Sequence, residues 1–129
     1  MADIGVRGVG PTQAAAFEQA ALALTAVLTD PSGVHDTEEV RVTCQAGDRE
    51  LLLVDWLNAL IYEMAVRSLI FGRFEVTLSG DRLDGSAWGE TIRRGSHALA
   101  VEVKGATLTA LRVTREDSGE WVAQCVVDV

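Results

Sequence analysis

Asp3, in Met1-Ala2-Asp3-Ile4-Gly5-Val6-Arg7, and Asp128, in Cys125-Val126-Val127-Asp128-Val129, are acidic residues inside segments that otherwise read as strand. A carboxylate in a strand needs a reason. If the first and last strands are neighbours in one sheet, the two side chains and the carboxylate of Val129 converge as a small oxygen-rich set. Such a set suits a hard divalent cation, and carboxylates alone do not choose between calcium, magnesium and manganese. Strand parity adds to the group, because Asp3 lies opposite Ile4 and Val6, Asp128 opposite Val127 and Cys125, and Glu102 and Lys104 opposite Val101 and Val103. All four polar groups then belong to the sheet face that helices do not cover. Parity alone is also what solvated strand ends would show.

Other arrangements carry less chemistry. Gly5-Val6-Arg7-Gly8-Val9-Gly10 precedes a helical segment but lacks the GxGxxG order and the acidic partner of a dinucleotide cradle, so it reads as a turn. His35 and His97 stand in loop-like segments with no second His or Cys at ligand spacing, and read as surface residues. Cys44 and Cys125 have no CxxC spacing and fall at apolar strand parity, which predicts buried, reduced thiols.

The elements that must position Asp3 and Asp128 follow from periodicity. Residues 2–9 alternate as a strand, and Thr12 caps an Ala-rich helix with Phe17, Ala21, Leu24 and Leu28 at helical spacing up to Asp30-Pro31-Ser32-Gly33. Residues 38–46 alternate again. Asp48 caps a second helix reaching about Ser68, whose broad stripe of Leu52, Trp56, Ala59, Ile61 and Met64 marks it as central, with Trp56 in the core. Beyond Gly72 the period returns to two, with a hairpin at Ser79-Gly80-Asp81, a strand from Arg82 to about Ile92 and a polar loop from Arg93 to His97. Leu99, Val101 and Val103 alternate next, and Gly105 permits a bulge before Leu111 and Val113. Glu116-Asp117-Ser118-Gly119 turns the chain into the last strand. The order predicts an α+β two-layer sandwich, a mainly antiparallel six-stranded sheet with two helices packed on one face, as one domain over residues 1–129.

Composition limits the partners. A formal charge of -8 with a pI near 4.6 opposes independent binding to nucleic acid, whose affinity comes from Lys and Arg displacing counterions. A basic partner, or one that handles RNA itself, remains compatible. No window approaches the roughly 18 apolar residues of a membrane span, and no leader pattern opens the chain, so a cytoplasmic protein is expected.

Five segments, Ala2-Asp3-Ile4-Gly5-Val6-Arg7, Leu51-Leu52-Leu53-Val54-Asp55-Trp56-Leu57-Asn58, Phe71-Gly72-Arg73-Phe74, Val101-Glu102-Val103-Lys104-Gly105-Ala106-Thr107 and Cys125-Val126-Val127-Asp128-Val129, resemble the archease family in that order over essentially the whole chain. The resemblance implies a non-catalytic activator of the GTP-dependent RtcB-type RNA ligase of tRNA splicing and RNA repair, promoting guanylylation and multiple turnover. It also implies that Asp3, Asp128 and the Val129 carboxylate hold a divalent cation, most naturally calcium, and that Lys104 is functionally important. Asp55 matches the family's helix acid. Two positions depart from the pattern: the family's His three residues before the first Asp has no counterpart, and Leu108 and Thr109 stand where Tyr or His is frequent. Two other classes fit the residues less directly. One is a metal-dependent phosphoesterase, for which no general base with a defined partner is visible; the other is a general chaperone or assembly factor, which predicts no metal dependence.

Overall fold

The computed structural model describes residues 3–93 and 102–129. Its elements are β1 (Asp3–Gly10), α1 (Gln13–Leu28), a short 3-10 turn (Pro31–Gly33), β2 (Glu38–Gln45), α2 (Arg49–Arg67), β3 (Leu69–Ser79), β4 (Arg82–Thr91), β5 (Gly105–Ala106), β6 (Arg112–Arg115) and β7 (Trp121–Asp128). Both predicted helix starts are found: Thr12 Oγ1 accepts the Ala15 N–H, and Asp48 Oδ1 accepts the N–H groups of Glu50 and Leu51. The polar loop 94–97 with His97, and the apolar positions Leu99 and Val101, lie outside the described residues.

The α+β class is as expected, but the strands form two antiparallel sheets rather than one sheet of six. One has the order β1-β7-β5 with β6 also on β7, and the other the order β2-β4-β3. The reason lies along the free edge of β3, where α1 takes the place of a further strand. The Glu18 carboxylate accepts the Val76 N–H (2.8 Å), and the buried Thr25 hydroxyl donates to the Phe71 carbonyl (2.8 Å). Edge groups satisfied by a helix are closed to another strand.

Helix α1 also packs flat on β1. A Cβ at Gly8 would collide with the backbone of Ala16 and Ala20, and one at Gly10 with Ala15, so the Gly-x-Gly strand and the Ala-rich helix are matched surfaces. On α2, Trp56 is fully buried beneath Gly85 of β4, meets Phe74 edge to face at 6.1 Å, and donates its Nε1–H to the Phe17 carbonyl at 3.1 Å. The core therefore joins both helices to both sheets.

Candidate metal and partner site

The first and last strands are neighbours, and their register sets Asp3 directly opposite Asp128. The backbone fixes how close that pair is. The Asp128 carbonyl accepts the Lys104 N–H (2.8 Å), Val126 accepts from Thr107 (2.9 Å) and donates to Thr109 (3.1 Å), so the even-numbered residues of β7 point their backbone groups away from β1. Asp3 and Asp128 are thus a non-hydrogen-bonded cross-strand pair, the kind whose side chains stand closest, at roughly 4.5 Å between Cα atoms.

A bulge brings in Lys104. Its N–H bonds to the Asp128 carbonyl although the register pairs Gly105 with Asp128 and Ala106 with Val127, so Lys104 and Gly105 together oppose the single residue Asp128. Lys104 and Thr107 consequently share the face of Asp128 and Val126, while Ala106 packs against the core. Ala106 faces Val127, whose backbone groups turn to β1, so its own N–H points out of the ladder, and Asn58 of α2 takes it through Oδ1 at 2.8 Å. Thr107 adds a second clamp, its hydroxyl donating to the Val126 carbonyl (2.8 Å) and accepting the Thr109 N–H (3.2 Å). A row Asp3–Asp128–Lys104 results across three adjacent backbone segments.

Lys104 and Asp3 are exposed and Asp128 is half-buried, and none of the three forms an ion pair with another described residue. Val129 follows Asp128 with its side chain against the core. Asp55 is exposed one turn before Asn58, and no hydrogen bond or ion pair joins it to the row; its charge instead acts on Cys44 of β2. Among the described residues no group of three or more His, Cys, Asp or Glu side chains clusters for a metal; a cation at this place would have the two facing carboxylates, with Val129 the further donor the resemblance implies. All-oxygen donors fit calcium or magnesium, which complete their shells with water.

The remaining candidates resolve as surface or core. The His35 N–H (2.6 Å) and ring Nδ1 (3.1 Å) both meet the buried Glu90 carboxylate, so the ring is a loop anchor, not a ligand. Cys44 and Cys125 are buried and free; burial raises both thiols, Cys125 to about 11, which leaves them protonated and unreactive at neutral pH. Trp88 and Trp121 are half-buried, the former beneath the Arg73 guanidinium at 3.8 Å. Asn58 and Thr107 are the positions that residue-type reasoning missed; a polar residue one turn after Asp55 on the exposed side of α2 was the available signal.

Comparison with known proteins agrees with this architecture. The profile of the Archease protein family (MTH1598/TM1083) matches residues 1–129. Protein archease of Pyrococcus furiosus is 35% identical over 132 residues, covering 99% of this chain and 93% of the relative, and that of Thermococcus gammatolerans is 38% identical with the same coverage. Among solved structures, protein 1598 of Methanobacterium thermoautotrophicum superposes with a TM-score of 0.85 at 35% identity, over 100% of this chain and 94% of that one. A Thermotoga maritima archease, described as a possible chaperone, shares the fold with a TM-score of 0.63 at 20% identity, over 98% of this chain and 90% of that one. The chain therefore belongs to the archease family.

Proposed function

We propose that this chain activates an RtcB-type, GTP-dependent RNA ligase in the cytoplasm, promoting its guanylylation and multiple turnover in tRNA splicing or RNA repair without joining RNA itself. The single observation that carries the reading is the Asp3–Asp128–Lys104 row, two facing carboxylates with an exposed ammonium beside them and, among the described residues, no ion pair to any of them. A bound divalent cation, calcium before magnesium or manganese, supplies positive charge next to phosphate groups. Asp3 and Asp128 hold it by oxygen ligands, with Val129 as a further donor, and Lys104 presents a second point charge on the same face. Asn58 and Thr107 keep the Lys104 segment in place. The net charge of -8 favours docking on the basic, RNA-binding side of a ligase.

The test adds the protein in substoichiometric amount to its cognate ligase with GTP, Mn(II) and RNA ends. Turnovers per ligase should rise several-fold, and Asp3→Ala, Asp128→Ala and Lys104→Ala should each remove most of that gain with circular dichroism unchanged. Calorimetry should show calcium binding in the wild type that is lost in both Asp variants and retained in Lys104→Ala. Absence of stimulation by the wild type rejects the activator reading; stimulation indifferent to the Asp variants and to chelation supports a general chaperone, and a metal-dependent phosphoesterase activity lost in Asp128→Ala supports an enzyme.

A further inference from the structure

Strand β1 is an edge strand whose outer side is unoccupied by any described element. Because the even residues of β1 bond to β7, the odd residues Asp3, Gly5, Arg7 and Val9 direct their N–H and C=O groups away from the sheet. None of the side-chain hydrogen bonds among the described residues reaches those groups, in contrast to the edge of β3, which α1 closes with Glu18 and Thr25. The strand has no internal proline or lysine, the usual devices that blunt an open edge.

We infer that this edge pairs with the same edge of a second copy, antiparallel and centred on Gly5, to give a two-fold dimer with one continuous sheet across both molecules. Charge selects that occupant and that register. With Gly5 on the axis, Asp3 of each copy faces Arg7 of the other, on the same sheet face and in hydrogen-bonded positions, for about six backbone bonds in all. A register centred on Arg7 would set two guanidiniums against each other, and one centred on Val6 would leave Asp3 opposite Val9.

Two further observations fit. Arg7 is available: its contact with Glu116 is long (3.8 Å) and 57% exposed on the Arg7 side, and Glu116 keeps Arg112 at 3.6 Å when Arg7 leaves. Gly5 is also the one glycine of β1 without a steric reason inside the monomer. A Cβ there would meet nothing within 4 Å, whereas Gly8 and Gly10 are required by α1. A bare position between Asp3 and Arg7 leaves the cross-strand ion pairs unobstructed on either side of the axis.

A single strand edge buries less than the area of a stable interface, so the dimer is weak and concentration-dependent. The experiment is sedimentation velocity of the full chain from low micromolar to millimolar concentration, in chelator, so that no cation occupies Asp3. The wild type should shift from monomer towards dimer. Gly5→Lys, which has room in the monomer and sets two ammonium groups across the axis, should stay monomeric throughout. Asp3→Arg and Arg7→Asp should each weaken association at least about tenfold, ~1.4 kcal/mol, and the double variant Asp3→Arg/Arg7→Asp should restore it. A wild type that stays monomeric at every concentration overturns the inference, as does a dimer that survives Gly5→Lys. Failure of Gly5→Lys to fold leaves the charge exchange to decide, and singles that do not weaken the dimer, or a double variant that does not rescue it, overturn the register.

Discussion

The outer faces of the two sheets carry charges at the same strand parity and dispose of them in opposite ways. On β2-β4-β3, Arg41 binds Glu39 (3.1 Å), Arg82 binds Asp84 (2.9 Å) with Thr43 beside it, and Arg73 divides between Asp36 (2.8 Å) and the Trp88 ring. Hydrogen bonds from Arg41 and Arg82 lower the Glu39 and Asp84 carboxyls below their ordinary values. On β1-β7-β5, Asp3 faces Asp128, a like charge, and Lys104 stands alongside without closing an ion pair. Paired surface charges are a solvated face and contribute little to stability. Like charges directly opposite on neighbouring strands are unfavourable, and the cation proposed for this site would offset that cost.

Removing the element common to both faces should have the largest effect. Trp56→Ala empties the site beneath Gly85 and strands the Phe17 carbonyl, and should cost about 3–5 kcal/mol in a denaturant titration, with both regions lost together. A smaller change should separate the regions. Asn58→Ala leaves the outward N–H of Ala106, next to the bulge, without its acceptor, at roughly 1–3 kcal/mol, and should lower ligase stimulation and speed amide exchange around residues 104–107 while the β3-β4 hairpin keeps its protection. The smallest effect has the opposite sign. In chelator, Asp3→Asn relieves the facing charges and should raise stability by a few tenths of a kcal/mol; added calcium should raise the Tm of the wild type and not of the variant. A variant less stable than the wild type in chelator would show that the two acids do not repel.

How much of this was legible in the sequence depends on whether the signal was local. Caps at Thr12 and Asp48, turns at Gly80 and Gly119, and the buried parity of Cys44 and Cys125 are properties of short windows, and all stand in the structure. The division into two sheets was not legible, because it rests on two side chains of α1, Glu18 and Thr25, meeting strand groups 58 and 46 residues further on. At the candidate site, alternation and Gly105 suggested both the shared face and the bulge. The acceptor supplied by Asn58 was hidden, since an exposed helix asparagine looks the same whether or not it meets an outward N–H one layer away. Asp55, singled out by resemblance, has no such contact.

The pairing of β1 with β7 has a consequence for biosynthesis. Strand β1 precedes every other described element, yet its hydrogen-bonding partner is the last of them, so the sheet that carries the acids closes only after all the elements between have been made. Until then β1 has both flanks bare with α1 as its local cover, and the nascent protein can complete its β2-β4-β3 half before Asp3 and Asp128 come together. Truncated products that lack the final strand therefore present β1 doubly exposed and cannot assemble the acid pair.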